Sequence, residues 1–247
     1  MEAFLYGISL QFKMDIRSRS LLVTCYLVPL LFFAVMGGIF TSIMPGSEKT
    51  LIQSMTVMGV SMGALIGVPP SLAEIYGTDV RKMYQANGAP LWYGLITLTV
   101  SAFIHLLIMS GIILAAAPVM FHAEVPSGLP LYFVKLSLFI IASLGIAGVL
   151  GMLEKNQAKL TMLCQAAFLP SILLSGIMFP SNLLPGILEK LGKLFPAAWG
   201  YLLLTENESG MGEVFPLGII FGAAVLACWI LMRRMGGSFS RLSLIHI

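Results

Sequence analysis

Hydrophobic residues fall in six runs, at 21–43, 51–73, 91–117, 131–153, 160–182 and 214–232, with polar residues gathered between them. Each run is close to the roughly 20 residues an α-helix needs to cross about 30 Å of hydrocarbon. Inside a run, apolar side chains follow one another without period-two alternation. Barrel strands are thereby excluded, and helices, which satisfy their own backbone hydrogen bonds in lipid, are predicted. The pattern predicts an all-α integral membrane protein with six transmembrane helices. A seventh apolar stretch, Leu183 to Leu204, is interrupted by Pro185, Gly186, Glu189, Lys190, Lys193 and Pro196. It is expected to be a partly embedded or interfacial segment between the fifth and sixth spans.

Ahead of the first run, Phe4, Ile8, Phe12 and Ile16 recur every four residues, with Lys13 and Arg17 beside them. This suits an interfacial helix over residues 1–20 whose basic residues lie near anionic headgroups; the alternative is a plain flank of the first span. Direction follows from the Lys/Arg distribution. With a cytoplasmic N-terminus, Lys13, Arg17, Arg19, Arg81, Lys82, Lys155, Lys159, Arg233, Arg234 and Arg241 lie inside, while only Lys49, Lys135, Lys190 and Lys193 lie outside. Six crossings then return the C-terminus to the cytoplasm, with the membrane domain over 21–235 and a tail over 236–247. Lys135, at an outer end, is expected to snorkel to water. The N-terminus has no signal-peptide core, so no cleavage is expected. The final residues LSLIHI match the in-frame translation of a transposon mosaic-end adapter, and the natural sequence is expected to diverge near Leu242.

Composition sharpens this picture. The 247 residues are 58% hydrophobic and only 10% charged, against about 25% charged in soluble proteins, and mean hydropathy is +0.94. A soluble enzyme, a disordered scaffold and a nucleic-acid binder are excluded; the net charge of +3 matters only through its placement. Cys25, Cys164 and Cys228 all lie in apolar runs without metal-ligand spacing and are expected to pack.

No Asp, Glu, Lys or Arg falls in the middle of a predicted span. That argues against an ion-coupled pump and against an intramembrane hydrolase, both of which need ionisable groups or metal ligands at depth. His105, near the middle of the third span, is the one ionisable residue there. It either contacts a substrate or is a neutral ring bonded to a neighbouring helix, and Gln165 in the fifth span has the same two readings. Gly59, Gly63 and Gly67 form a small-residue stripe for close helix packing, within one subunit or between two. Pro69 and Pro70 should bend or end that helix. There is no GxxxxGK[ST] phosphate loop, no metal site and no catalytic set, so any uphill movement needs a separate energy-supplying chain.

The longest charged inner loop is EIYGTDVRKMYQANGAP, Glu74 to Pro90. Thr78 or Asp79 can cap a short helix, and Asn87-Gly88 with Pro90 can end it. Such a helix transmits a force from a cytoplasmic partner; the alternative is a tight connection with ordinary caps. Glu74-x-x-Gly77-Thr78 followed by a basic helix and Pro90 resembles the loop after the second span of type-two ATP-binding-cassette (ABC) transporter permeases. The run Leu169 to Leu204 is similar to that family's fifth span, with Ser-Gly-x-x-Phe-Pro at 175–180, an outer re-entrant segment and Pro-x-x-Trp-Gly before the last span. KNQAKLTM at 155–162 is also similar. One departure is that the family's glutamate-plus-arginine cluster before Gly-Thr is reduced to Glu74, with Ile75 and Tyr76 between.

The resemblance implies a permease subunit of an ABC exporter in the plasma membrane, paired with a second permease subunit as homodimer or heterodimer. Glu74, Gly77, Thr78, Asp79, Arg81 and Lys82, with the N-terminal helix, would dock on cytoplasmic ATPase subunits that carry the ATP and magnesium. The chain itself would be no enzyme and hold no cofactor, and its cargo would be apolar or amphipathic, as in multidrug or peptide efflux. Two other readings stay open: a membrane scaffold or immunity-type protein without transport, and an intramembrane enzyme using His105.

Overall fold

The computed structural model describes residues 2–77, 90–178, 185–205 and 211–242. Within them the elements are α1 (Glu2–Arg17), α2 (Arg19–Leu22), a π-helical turn (Val23–Leu27), α3 (Val28–Ile43), α4 (Leu51–Met62), a second π-helical turn (Gly63–Gly67), α5 (Val68–Gly77), α6 (Trp92–Phe121), α7 (Leu129–Leu153), α8 (Gln157–Leu173), α9 (Gly186–Gly192), α10 (Pro196–Thr205) and α11 (Met211–Leu242). No strand occurs among the described residues.

Five continuous helical stretches are long and apolar enough to cross a membrane: Val23–Ile43, Leu51–Gly77, Trp92–Phe121, Leu129–Leu153 and Val214–Met235. Of the predicted run at 160–182, residues 179–182 lie outside the described residues, and α8 covers it as far as Leu173 in a helix of 17 residues, about 25 Å long and at the short end of what crosses a membrane. Its end is chemical. The Ser175 hydroxyl donates to the Ile172 carbonyl at 2.7 Å, and Gly176 takes a left-handed φ of 86° that turns the chain away. The interrupted stretch after it contains two short helices, α9 and α10. The end of α9 packs Gly192 against the Leu174 backbone, and α10 sets Gly200 on the Phe139 ring of α7.

The Leu51–Gly77 stretch is the central helix. Within its apolar window 94% of residues are buried by the rest of the chain, against 28% for Val23–Ile43 and 17% for Val214–Met235. Its small residues make this possible. A Cβ at Gly59 would stand 3.0 Å from the Met109 Cε, one at Gly63 2.5 Å from the Leu106 Cδ2, and one at Gly67 3.1 Å from the Cys25 Sγ. The glycine stripe therefore packs inside one subunit, against α6 and the first span. The two π-helical turns face each other here, with Cys25 of one beside Gly63 and Gly67 of the other. π-turns widen a helix by a residue, and here that widening accommodates close contact between the helices.

One side chain sits differently from expectation. Lys135 is 6% exposed and does not snorkel, because it shares the inward face of α7 with Tyr132, Leu136 and Phe139. In α1, Phe4, Ile8 and Phe12 turn at least in part toward the rest of the chain, Ile16 is exposed, and Asp15 is buried against the bundle.

Candidate functional site

The expected coupling loop begins where α5 ends. Glu74 and Gly77 are exposed on its last turn; Thr78, Asp79, Arg81 and Lys82, with the predicted caps at Asn87-Gly88, lie outside the described residues. Both flanks of that loop are held by Tyr76. Its buried hydroxyl donates to the Leu91 carbonyl at 2.7 Å and accepts from the Leu95 amide at 3.1 Å. The hydroxyl is thus inserted into what would be the first i to i−4 link of α6, and it ties α5 to α6 across residues 78–89. Gly77 also lies beside the Lys155 stem, and Gly151 packs on Leu72 and the Pro69 carbonyl, which brings the 154–156 turn alongside. There Glu154 accepts from the backbone amides of Lys155 and Asn156, both at 2.9 Å. The Asn156 amide above all, together with that of Lys155 and the nearby Lys159 charge, holds the Glu154 carboxyl below its usual range. Asn156 in turn caps α8 by accepting from the Ala158 and Lys159 amides at 3.0 and 3.2 Å.

A second cluster joins α1 to the bundle. Asp15, 4% exposed, accepts from the Ser101 hydroxyl of α6 and from the Gln11 amide at 2.8 Å. Burial raises its carboxyl above the ordinary carboxylate value, while Ser101, Gln11 and the nearby His105 pull in the opposite direction. His105, 1% exposed, is bonded through Nδ1 to the Tyr26 hydroxyl at 2.7 Å. Its ring stacks on Phe12 with centroids 4.5 Å apart. The middle of the 30-residue α6 therefore stands against the fourth residue of the Val23–Ile43 stretch. His105 is thus bonded to a neighbouring helix through Nδ1, while its buried Nε2 has no partner among the described residues. Gln165 makes no such bond among the described residues; it is exposed on α8 beside Thr161, Met162 and Leu169.

At the opposite end of the bundle a cavity of about 570 Å³ lies between the last turn of α3, the first turn of α4, residues 174–177 and the α9–α10 segment. Ser47, Thr50, Ser54 and Ser175 line it together with the Lys193–Glu189 pair, whose ends are 2.9 Å apart. The Trp199 indole donates to the Lys193 carbonyl at 2.7 Å and braces that wall. Sequence reasoning missed Tyr76, Asp15, Ser101 and Tyr26. The available signals were a tyrosine inside the Glu-x-x-Gly spacing and an acid at i+4 from Gln11 on an otherwise apolar face.

A profile of the ABC-2 type transporter family matches residues 2–209, from the start of α1 to just before α11. No curated protein matches the chain. Membership implies a multi-pass membrane component, not itself catalytic, that associates with ABC ATPase subunits. The tied loop after the second crossing, the N-terminal helix laid on the bundle and the family match together make the chain a member of the ABC-2 type transporter family, a permease membrane subunit.

Proposed function

We propose that this permease is one half of an ATP-driven exporter in the plasma membrane, moving an apolar or amphipathic substrate by alternating access. In this reading α8 is the fifth of six crossings and both termini are cytoplasmic. The region around α9 and α10 is an outer re-entrant segment. Glu74, Gly77, Thr78, Asp79, Arg81 and Lys82, with α1, receive a separate ATPase subunit that holds ATP and magnesium. A second permease subunit covers the exposed face of α8, where Gln165 lies beside the substrate path.

The tie made by Tyr76 carries the reading. A loop whose far flank is bonded through one buried hydroxyl to the end of the most enclosed of the five described stretches is built to pass a push into the core. A scaffold without a transport cycle has no use for that linkage. An enzyme built on His105 is disfavoured because the residue is only 1% exposed, with Tyr26 on Nδ1 and Phe12 stacked on one face of the ring. The test is co-expression with the ATPase subunit. Arg81→Glu with Lys82→Glu is expected to weaken co-purification of the two, and the permease alone is expected to transport nothing. Transport by the isolated chain, or labelling of an Arg81→Cys variant from the exterior, would overturn the proposal.

A further inference from the structure

A groove of about 580 Å³ runs between α6, α7 and α11. Trp92, Ile96 and Phe103 form one wall, and Phe221, Val225 and Trp229 the other. Apart from Thr99 and the Cys228 thiol, every lining side chain is apolar. Gly145 and Gly148 form its floor, against Phe221, Ala224 and Cys228. Eleven residues separate Trp92 from Phe103, and eleven separate Phe221 from Met232. Both walls are thus about 17 Å long at 1.5 Å per residue, close to the roughly 15 Å hydrocarbon depth of one leaflet.

The lower end is marked chemically. Exposed Trp92 and Trp229 flank it, as tryptophans do at a headgroup boundary. Arg233 lies over the Trp229 ring at 3.8 Å, while Arg234, one residue on, falls on another face of α11. Arg233 is exposed, and no carboxylate pairs with it among the described residues. An apolar chain gains nothing from the hydrophobic effect on leaving lipid for an apolar groove, so selectivity must come from the headgroup. We infer that this groove seats one acyl chain of an anionic phospholipid, with its phosphate held by Arg233 at the groove's edge.

The arrangement provides its own reporter, because two of the three tryptophans, Trp92 and Trp229, line the groove, while Trp199 lies on α10. The full chain carrying Trp199→Phe would be reconstituted in symmetric phosphatidylcholine vesicles. A minor fraction of the lipid would be dibrominated phosphatidylglycerol or, in the paired sample, dibrominated phosphatidylcholine. Bromine quenches tryptophan on contact. At equal fraction the brominated phosphatidylglycerol is expected to quench more. Its relative affinity should be raised roughly five-fold by Arg233. Arg233→Gln should bring the two lipids level. Val225→Phe, which fills the groove from its lip, should reduce quenching by both while leaving Arg233 in place. Equal quenching by the two lipids in the Trp199→Phe chain would mean ordinary surrounding lipid and would overturn the inference. So would unchanged quenching in Val225→Phe. Absence of quenching by either lipid would show that another protein helix covers the groove, and would overturn it as well.

Discussion

Replacing Tyr76 by Phe removes one oxygen and nothing else. The buried ring keeps its place, but the Leu91 carbonyl loses a donor and the Leu95 amide loses an acceptor. Those two groups belong to one turn of α6 and stand four residues apart, so the helix can close the link by itself once the hydroxyl is gone. One of the two bonds is thereby recovered. The other is lost, at a net cost of about 1 kcal/mol. The loss falls on the linkage between α5 and α6, not on either helix. Local opening of that linkage should become about five-fold more frequent, since 1.4 kcal/mol is a factor of ten. Hydrogen exchange followed by mass spectrometry on the intact chain reads this directly. Peptides covering 68–77 and 91–98 should exchange about five-fold faster in Tyr76→Phe, while peptides from α7 and α11 keep their rates. Equal exchange in the two proteins would show that the hydroxyl does not hold the loop. A uniform acceleration in every helix would show a global effect and would refute the argument equally.

Gly151→Ala should lower the thermal midpoint by an amount corresponding to about 1–3 kcal/mol, despite the better helix propensity of alanine, because its Cβ would meet the fixed Pro69 carbonyl at 2.8 Å. Gly63→Ala should cost less, since the Leu106 methyl it meets can rotate away; the reverse order would contradict the packing described. Asn156→Ala removes the acceptor for two amides and should cost α8 about 1 kcal/mol, seen as faster exchange confined to the first turn after Gln157. Burial raises the Asp15 carboxyl, so the folded chain holds that proton more tightly than the unfolded one. Its contribution to stability is fully present below the unfolded carboxylate value and is lost as pH rises through the folded one. Asp15→Asn, neutral throughout, should therefore melt above the parent at neutral pH and converge with it in acid; a variant that melts lower at neutral pH refutes this.

Much of the fold was legible because lipid and protein interior both exclude charge, and the apolar runs recorded where the chain avoids water. Five of the six runs lie in helices that qualify as crossings. The same property hid the arrangement within the bundle. An apolar helix looks alike whether it faces lipid or protein, so the central position of Leu51–Gly77 left only indirect traces: its lower hydropathy, 1.6 against 2.2 to 2.4 for the other four, and Gly59, Gly63 and Gly67. The shortening of α8 was also partly visible, in Pro170 and Gly176, but an apolar count at 160–182 ignores a backbone that turns away. The polar ties at Tyr76, Tyr26 and Ser101 were invisible, because each depends on a partner many positions distant in sequence.

Those ties converge on one element. Tyr76 attaches α5 to the first turn of α6 at Leu91 and Leu95. Asp15 and Phe12 attach α1 to the same helix at Ser101 and His105, and Tyr26 adds the first span at His105. The two surfaces proposed to meet the ATPase subunit, the 74–82 loop and α1, are therefore both fastened to α6 within a stretch of about 20 Å. A helix of 30 residues is about 45 Å long, and its other end is equally well held. Phe121 packs edge-on to Phe33 with centroids 5.4 Å apart, and the Glu124 amide just beyond donates to the Glu48 carbonyl at 3.0 Å. A displacement applied at the α1 end cannot be absorbed by loose side chains along the way, since the inward face of α6 is closely packed against the glycine stripe of the central helix. In the proposed exporter it would tilt α6 as a rod or shear it along that stripe. Either motion would reach the Ser47–Glu48 turn at the far end, which borders the polar cavity with Ser175 and Lys193. The route this proposal assigns from the loop to that cavity is a single helix and its two ends.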